Sequence, residues 1–487
     1  MKDQLDTNED LLDLDGVALD FTELQGNVLK GYTKPRVRYL LLKVNDAKLA
    51  RVWMGRVSAR SPGELPRLTD ASDWGDTPPD VLFNLSLTAQ GLKALGLPGS
   101  ELATFPLEFQ AGIHASAEKI GDVGPNAPEN WDAPFDQPDT LHVIVSLYAE
   151  TLDQIEGVQK TLLGFRDGSA FTLLGIRDGA NFDKAYVHFG YTDNISQPRF
   201  RGVHDKDRFP DKQPLCAIGT VLLNFPTVYE DVNWRVPSPK VLGRMGSFDA
   251  FRILEQDCKA FEDFLDSAAD VLESHPRTLD LLPKGGEKGW KGIRSRRAAL
   301  REIVAAQMSG RWRNGVPLEL SPDTPDPDPK IDKDQWSNFD YGPHAKCPYG
   351  AHTRRCNPRG GAIVQRIANN TRRLVRRGVP YGPAYDPKNP DDGIERGLLG
   401  NFLCGNLAAQ FEAVMCDWLN LGLQDPNITG TNDPLLGAND KEVSYFDLFL
   451  SDGERIRLTG LPRLVNVKGG AYTFIPSLPA CRYLSTL

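Results

Sequence analysis

The sequence predicts an α+β fold, because segments with the period of a strand alternate with helical segments over most of its 487 residues. Leu141–Ser146 reads LHVIVS, and this β-branched composition is typical of a buried strand. Val37–Val44 and Leu82–Leu87 are also predicted strands. A helix is predicted after each strand, at Ala47–Arg60, Thr88–Leu95 and Thr151–Leu163.

The same alternation resumes after residue 215. Strands are predicted at Gly219–Phe225 and Ser247–Arg252, and a helix is predicted to begin within Gln256–Leu265. Arg296–Arg311 is predicted to be an amphipathic helix. Leu398–Leu419 has apolar residues three and four positions apart, which predicts one buried helix.

Two α+β domains are therefore expected, at residues 16–214 and 215–487, after a disordered segment at residues 1–15. The N-terminal segment is charged and poor in apolar residues, so it cannot bury enough surface to fold. Ser321–Lys330, SPDTPDPDPK, is predicted to be a loop, because its prolines lack amide donors and disfavour helical geometry before them.

The composition argues against several classes of function. A net charge of −9 disfavours binding to nucleic acid and to an anionic membrane surface. No apolar run approaches the roughly 20 residues that span a bilayer, and the acidic start MKDQLDTNEDLLDLD is unlike a secretory leader. The seven cysteines are odd in number and scattered, which is typical of a reducing compartment. We therefore expect a cytoplasmic protein, with unconventional export as the alternative.

His352 lies at the centre of the most informative segment, CPYGAHTRRCNPR (Cys347–Arg359). A lone histidine is most often hydrogen-bonded to backbone, but this imidazole stands among two cysteines and three arginines. One interpretation is a metal ligand with arginines that neutralise nearby anionic groups. A rival interpretation is a tetrahedral zinc site built from His344, Cys347, His352 and Cys356, although their spacing matches no usual finger pattern.

A second polar cluster is HFGYTDNISQP (His188–Pro198), which contains Asp193. Turn residues surround Asp193, and Asn194 tolerates positive φ better than any residue except glycine. Most loop aspartates simply cap a turn, and the G-x-x-D-G spacing is also present at Gly164–Gly168 and Gly175–Gly179. The spacing alone therefore does not identify a site.

A third cluster is RRLVRRGVPYGP (Arg372–Pro383), which alternates apolar and basic residues before Pro380, as a strand does on entering a loop. Arg376 and Arg377 should then point to opposite faces, one into a pocket and the other into solvent. The alternation does not decide which arginine faces the pocket.

These three clusters together resemble the dye-decolorizing peroxidase family. The resemblance covers nearly the whole chain, with further matching segments in the expected order: LQGNVLKGY (Leu24–Tyr32), NLSLTAQGLKALGLP (Asn84–Pro98), GDVGPNAPENW (Gly121–Trp131), GSFDAFRILEQD (Gly246–Asp257), MSGRWRNGVPL (Met308–Leu318) and RGLLGNFLCGNLAAQFE (Arg396–Glu412). The length and the insertions are most similar to the longer, advanced subgroup of that family.

The resemblance implies a haem b peroxidase built from two ferredoxin-like halves, with haem in the C-terminal half. His352 matches the proximal iron ligand, Glu412 the carboxylate that accepts the other imidazole N–H, and Arg354 a propionate partner. Asp193 matches the distal aspartate, because only this G-x-x-D segment is preceded by HFG and followed by ISQP. Arg376, four residues before a proline, matches the distal arginine.

These residue types suit the heterolysis of hydrogen peroxide. A carboxylate can carry a proton between the peroxide oxygens, and a guanidinium stabilises the charge on the departing oxygen. An imidazole bonded to a carboxylate is an electron-rich ligand. The expected partners are hydrogen peroxide and organic one-electron donors such as dyes and phenolics. The alternatives are a related haem protein with another main activity and a zinc-binding scaffold.

Two departures from the family pattern affect the site. Asn194 replaces the last glycine of the distal motif, which its tolerance of positive φ makes acceptable. The segment before Glu412 carries two extra residues, Gly400 and Asn401. Either Leu399 or Phe402 can therefore line the distal pocket.

Overall fold

The computed structural model describes residues 11–75, 77–182, 185–204, 215–228, 232–282, 293, 295–326, 331, 333–342, 346–360, 366–450 and 452–487. Its strands are β1 (Arg36–Val44), β2 (Val81–Leu87), β3 (Val143–Ala149), β4 (Phe171–Ala180), β5 (Ser247–Gln256), β6 (Val375–Arg376), β7 (Val379–Tyr381), β8 (Gly397–Cys404), β9 (Tyr445–Phe449), β10 (Arg455–Thr459) and β11 (Val465–Ile475).

Its helices are α1 (Ala47–Val57), α2 (Ala89–Ala94), α3 (Gly99–Leu102), α4 (Leu107–Ala111), α5 (Ala117–Ile120), α6 (Leu152–Leu163), α7 (Lys240–Gly243), α8 (Cys258–Ser274), α9 (Arg296–Ser309), α10 (His352–Cys356), α11 (Arg366–Thr371) and α12 (Leu478–Leu484). Two π-helical segments, Leu407–Glu412 and Val414–Asn420, lie between β8 and β9.

The first half of the chain forms a ferredoxin-like unit. Its main elements follow the order β1-α1-β2-β3-α6-β4, and its sheet has the order β4-β1-β3-β2. All three strand pairs are antiparallel; Arg36, for example, stands opposite Ala149 of β3 and Ala180 of β4. The α+β prediction is confirmed here.

The second half repeats this arrangement with longer insertions. Strand β5 is followed by α8 and α9, and β8 is followed by the π-helical segments and β11. Its sheet order is β11-β5-β8-β6, with β7 also paired to β8, and these pairs are antiparallel. The two halves therefore share one topology.

The two half-sheets join into one sheet where Phe474 of β11 stands opposite Leu87 of β2. The outer strands also approach each other, because a Cβ on Gly179 would lie 2.7 Å from Val379. The boundary between residues 214 and 215 adjoins residues 205–214, which lie outside the described ranges. The division into domains at residues 16–214 and 215–487 therefore remains a prediction.

Side-chain caps explain why several helices begin where the sequence predicts. Thr151 accepts a hydrogen bond from the Gln154 amide, and Gln154 bonds back to the Thr151 amide, so α6 begins with a capping box. Thr88 caps α2 and Ser295 caps α9, and each side chain accepts one backbone amide hydrogen bond. Each cap satisfies a first-turn amide that would otherwise have no partner.

Three predictions about local structure were wrong. Gly219–Phe225 is not a strand but a 3₁₀ turn at Ile218–Thr220 followed by further turns, with Asn224 at a positive φ of 70°. Leu398–Leu419 is strand β8 followed by the π-helical segments, not one helix. Leu11–Asp15 is ordered rather than disordered: the buried Asp13 carboxylate pairs with Arg244 at 2.5 Å.

The proline-rich loop was predicted correctly as far as it is described. Ser321–Asp326 contains neither helix nor strand, and residues 327–330 lie outside the described ranges. Across the described helices, none is long and apolar enough to cross a lipid bilayer.

Candidate active site

His352 is the first residue of α10, after Ala351 in extended conformation. The start of this helix is fixed against the end of α9, where Thr353 Oγ1 donates to the Ser309 carbonyl at 2.8 Å. A Cβ on Gly310 would lie 2.3 Å from Thr353 Oγ1, so α9 and α10 touch closely at a glycine. The backbone before and after His352 is therefore held by packing rather than by the helix alone.

Asp433 is the carboxylate that holds the His352 imidazole. Both Asp433 oxygens lie 3.1 Å from His352 Nδ1, and the Asp433 side chain is completely buried. Its Oδ1 also accepts the amides of Leu435 at 2.9 Å and Leu436 at 2.8 Å. Because Nδ1 donates to Asp433, Nε2 is the ring nitrogen left to bind a metal.

The electrostatics of this pair favour charge on both partners. Burial lowers the pKa of His352, but the charge of Asp433 raises it, and the pKa lies well above its ordinary value. Burial raises the pKa of Asp433, whereas the facing imidazole lowers it, and the pKa of Asp433 lies below its ordinary value. The imidazole therefore has an anionic partner on its Nδ1 side.

The assignment of Glu412 as the partner of His352 was wrong. The buried Glu412 carboxylate accepts from Ser116 at 2.6 Å, Lys119 at 2.8 Å and Tyr472 at 3.0 Å. His352 is not among these partners, and its Nδ1 bonds to Asp433 instead. The missed signal was DPLL at 433–436, an aspartate before proline whose carboxylate caps two apolar residues.

Arg355 ties the Asp433 segment to α10. Its guanidinium is 2% exposed and donates to the carbonyls of Gly350 at 3.1 Å, Trp418 at 3.2 Å and Thr431 at 2.9 Å. Thr431 lies two residues before Asp433. Arg355 thus holds Asp433 and His352 in one rigid unit.

Asp193 lies in a turn whose backbone is fixed by neighbouring segments. The Thr192 amide donates to the Arg313 carbonyl, and the Asp193 amide donates to the Ala185 carbonyl, each at 2.8 Å. Asn194 has a φ of 60°, so the expectation that it takes the glycine conformation is confirmed. The Asp193 side chain is exposed.

Arg376 lies in β6 and reaches the residues that follow Asp193. Its Nη2 donates to the Ser196 carbonyl at 2.5 Å, and its backbone exchanges two 3.1 Å hydrogen bonds with the Gln197 side chain. Arg377 faces the other way and donates to the Asn27 and Val28 carbonyls. The structure therefore brings Arg376, and not Arg377, to the Asp193 loop.

Phe402 shares the face of Arg376. The two residues stand directly opposite each other in the β6–β8 ladder, so their side chains project from the same side of the sheet. Leu399 has the opposite parity in β8 and is completely buried in the main core. Phe402 is therefore the better candidate to line the distal pocket.

The turn from Ser309 to Gly315 connects the two sides of the site. On one side it bonds to Thr353 of α10, and on the other Gly315 closely approaches the Ile195 side chain. Arg311 stabilises the turn by donating to the Gly315 carbonyl at 3.0 Å. The Asp193 loop and the His352 helix therefore share one support.

The residues around this turn fit an anionic cofactor. Burial, with smaller contributions from neighbouring Arg359 and Arg376, lowers the pKa of Arg311 to about 10. Among the residues that the structure describes, none of these three arginines has a carboxylate within ion-pair distance, and Arg359 Nε is buried without a hydrogen-bond partner. Buried guanidinium groups without counter-ions suit the propionates of haem.

Arg354 has other contacts. Its guanidinium donates to the Cys347 carbonyl at 2.7 Å and the Gly342 carbonyl at 3.1 Å, and it stacks over the rings of Tyr341 and Tyr349. These contacts fix the loop before His352. The role of Arg354 as a propionate partner stays a prediction.

A zinc site gains no support from the geometry. Burial raises the pKa of Cys347 to about 12, which disfavours the thiolate that zinc requires. Cys356 Sγ lies 3.7 Å from His352 Nε2, while His344 lies outside the described residues. Within the described ranges, no three histidine, cysteine or acidic residues are grouped to hold a metal ion.

Known proteins resemble this chain in sequence and in fold, although no protein-family model matches it. The chain is 28% identical over 500 residues to a dye-decolorizing peroxidase of Mycena epipterygia, covering 95% of this chain and 86% of the relative. It is 26% identical over 492 residues to one of Mycetinis scorodonius, covering 96% and 87%. A multifunctional dye peroxidase of Amycolatopsis is 27% identical, with 95% of each chain covered.

Solved structures agree with these relatives. A dye-decolorizing peroxidase in complex with 2,6-dimethoxyphenol superposes with a TM-score of 0.76 at 26% identity, covering 96% of this chain and all of the other. An ancestral D-type dye-decolorizing peroxidase superposes with a TM-score of 0.77 at 25% identity, covering 95% and 98%. Over nearly its whole length the chain is similar in sequence and in fold to dye-decolorizing peroxidases, and it is a haem-dependent peroxidase.

Proposed function

We propose that this peroxidase binds haem b through His352 and reduces hydrogen peroxide with Asp193 and Arg376, while dyes or phenolics supply the electrons. The observation that carries this proposal is the common support of the two sides. One turn, from Ser309 to Gly315, packs against the His352 helix and against the loop that bears Asp193. Haem would supply the iron that binds peroxide and stores the oxidising equivalents.

On the proximal side, His352 Nε2 would ligate the iron while Nδ1 donates to Asp433. The buried carboxylate keeps the imidazole oriented and makes it a more basic ligand. Arg311 and Arg359, which have no carboxylate partner within the described ranges, would neutralise the propionates.

On the distal side, the Asp193 carboxylate would accept a proton from the peroxide oxygen nearer the iron and return it to the farther oxygen. The Arg376 guanidinium would stabilise the negative charge on the departing oxygen. Its bond to the Ser196 carbonyl fixes the guanidinium three residues from Asp193, so no reorganisation is needed when charge develops. Phe402, on the same face, would exclude water and bulky donors.

The test compares two aspartates in the haem-loaded enzyme by stopped-flow mixing with hydrogen peroxide. Asp193→Asn should slow the reaction with peroxide by about 10²–10⁴-fold, because it removes the proton carrier. Asp167→Asn, in the look-alike GFRDG, is the matched control and should react at the parent rate. Equal rates for the two variants would exclude Asp193 as the proton carrier. His352→Ala should lose the Soret band of bound haem.

A cytoplasmic location is a further part of this proposal. All seven cysteines are unpaired in the structure, and five of them are buried. Free buried thiols are typical of reducing compartments. Fractionation of the native host, with detection by antibody, should find the protein in the cytoplasm rather than in the medium.

A further inference from the structure

A cavity of about 120 Å³ lies between α2, α4 and the middle of β11. Phe109, Ile113 and Phe135 supply apolar walls, while Gln90, His114 and Tyr472 add polar groups. One water needs roughly 10–15 Å³ by this measure, so the cavity has room for a single-ring organic molecule. Exposed residues Ala111, Pro138 and Asp139 form part of its lining, so the cavity opens to solvent.

Tyr472 links this cavity to a buried carboxylate. The residue is 2% exposed, and its hydroxyl donates to Glu412 Oε1 at 3.0 Å. Ser116 donates to the same oxygen at 2.6 Å, and Lys119 pairs with Oε2 at 2.8 Å. Glu412 Oε1 already accepts the hydrogen bond of the Tyr472 hydroxyl, so it is placed to take that proton if Tyr472 loses an electron.

Packed aromatic rings connect Tyr472 to the distal side of the site. The Phe411 ring lies 6.0 Å from the Tyr472 ring and 5.6 Å from the Phe402 ring. Phe402 stands opposite Arg376 in the sheet. The cavity wall and the distal wall are therefore joined by two aromatic contacts, with Tyr472 as the oxidisable member.

His114 provides a place for the proton of a bound phenol. Its Nε2 lies 2.7 Å from the Phe135 carbonyl, which can only accept, so Nε2 carries the hydrogen. The neutral ring then presents Nδ1 as an acceptor. A phenol hydroxyl in the cavity can donate to this nitrogen.

We propose that this cavity binds a single-ring phenolic reductant and that Tyr472 passes its electrons, one at a time, towards the haem. One electron leaves Tyr472 for the haem that peroxide has oxidised, and the Tyr472 proton moves to Glu412 Oε1. One electron from the phenol then restores Tyr472, and the proton returns from Glu412. The phenol loses its own proton to His114 and leaves as a phenoxyl radical.

This proposal rests on the proposed peroxidase function, so its first test does not need turnover. Calorimetric titration of the haem-loaded enzyme with 2,6-dimethoxyphenol, without peroxide, should show binding in the parent. Ala111→Trp places a large ring at the cavity lining and should raise the Kd by about tenfold or more. Ala115→Trp, on the exposed turn that follows, is the matched control and should bind as the parent does. Equal Kd values for the parent and both variants would overturn the binding site.

The second test follows the electron. After one equivalent of peroxide, electron paramagnetic resonance of the parent should show a tyrosyl signal that Tyr472→Phe removes. Tyr148→Phe, another buried tyrosine that lies outside this cavity, should retain the signal. A tyrosyl signal that persists in Tyr472→Phe would overturn the relay. Absence of a Soret band or of any reaction with peroxide in the parent would instead contradict the proposed function.

Discussion

Two buried carboxylates compete as partners of His352, and their contacts separate them. Asp433 faces the imidazole and accepts two backbone amides, so it is fixed as a hydrogen-bond acceptor. Glu412 is equally buried but is occupied by Lys119 and two hydroxyls. Burial alone therefore does not identify the partner of a metal-binding histidine; the direction of the carboxylate does.

Asp433→Asn should weaken haem retention by about 10–100-fold, because a neutral amide supports the ligand less well than a carboxylate. Haem transfer from the variant to apomyoglobin, followed in the Soret region, measures this loss. Glu412→Gln is the comparison, since it removes a carboxylate of similar burial that does not touch His352. If Glu412→Gln loses haem as fast as Asp433→Asn, the assignment of Asp433 is wrong.

The buried Asp249 should make the free energy of unfolding depend on pH. Burial raises the pKa of Asp249 to about 8, whereas the unfolded chain titrates near roughly 3.9. Between these values the folded state holds one more proton, so the free energy of unfolding falls as pH rises. The slope from this residue is roughly 1.4 kcal/mol per pH unit and ends near pH 8.

Asp249→Asn cannot titrate and should flatten this slope. The free energy of unfolding of the variant should therefore rise relative to that of the parent between pH 5 and about pH 8. Urea unfolding at several pH values gives the comparison. Asp136→Asn, at an exposed position, should keep the parent's pH dependence. Parallel curves for the parent and Asp249→Asn would show that Asp249 is ionised in the fold.

The turn from Ser309 to Gly315 is the element on which both sides of the site depend. Gly310 has a φ of 87°, and a Cβ there would lie 2.3 Å from Thr353 Oγ1 and 3.3 Å from Cys347 Sγ. Gly453 also has a φ of 87°, but a Cβ there would meet nothing within 4 Å. The two glycines therefore separate backbone strain from steric contact.

Gly453→Ala should destabilise the protein by about 1–2 kcal/mol, the usual cost of a left-handed residue with a Cβ. Gly310→Ala should cost more and also weaken haem binding, because the new methyl group pushes α10 away from α9. Thermal unfolding and haem titration measure the two effects. Equal losses of stability, with normal haem binding in both variants, would show that the contact with Thr353 is unimportant.

At the scale of helices and strands, the sequence predicts an element well where one periodicity dominates. The capped helices α1, α2 and α6 and the strands before them lie within a few residues of their predicted positions. Leu398–Leu419 failed because a strand buried on both faces is as apolar as a buried helix. Gly397 was the available signal: a Cβ there would lie 2.0 Å from the Leu254 carbonyl of β5, a closeness that only glycine permits.

The candidate site could be predicted from the sequence only in part. His352, Asp193 and Arg376 could be chosen only through the family resemblance, since each has an ordinary alternative as a loop or strand residue. Asp433 was missed because it lies 81 residues from His352, and sequence spacing carries no information about such a contact. Long-range contacts of this kind are decided by tertiary packing.

At the scale of the whole molecule, one buried ion pair connects the two halves. Arg252 in β5 and Asp122, which follows α5, are each 2% exposed and share two hydrogen bonds of 2.6 Å. The β2–β11 contact and this ion pair both join the two halves. If the interface between the halves is as stable as the core of each half, the two halves unfold together. Calorimetry of the parent should then show a single transition.

Arg252→Met should lower the free energy of unfolding by about 3–5 kcal/mol, because it leaves Asp122 buried without its partner. The double variant Arg252→Met/Asp122→Leu should recover much of that loss, since two apolar side chains no longer bury an uncompensated charge. Urea unfolding, followed by fluorescence and by far-ultraviolet circular dichroism, measures both effects. If the single variant loses less than its double counterpart, the two halves are held together by apolar contact and the ion pair contributes nothing to their union.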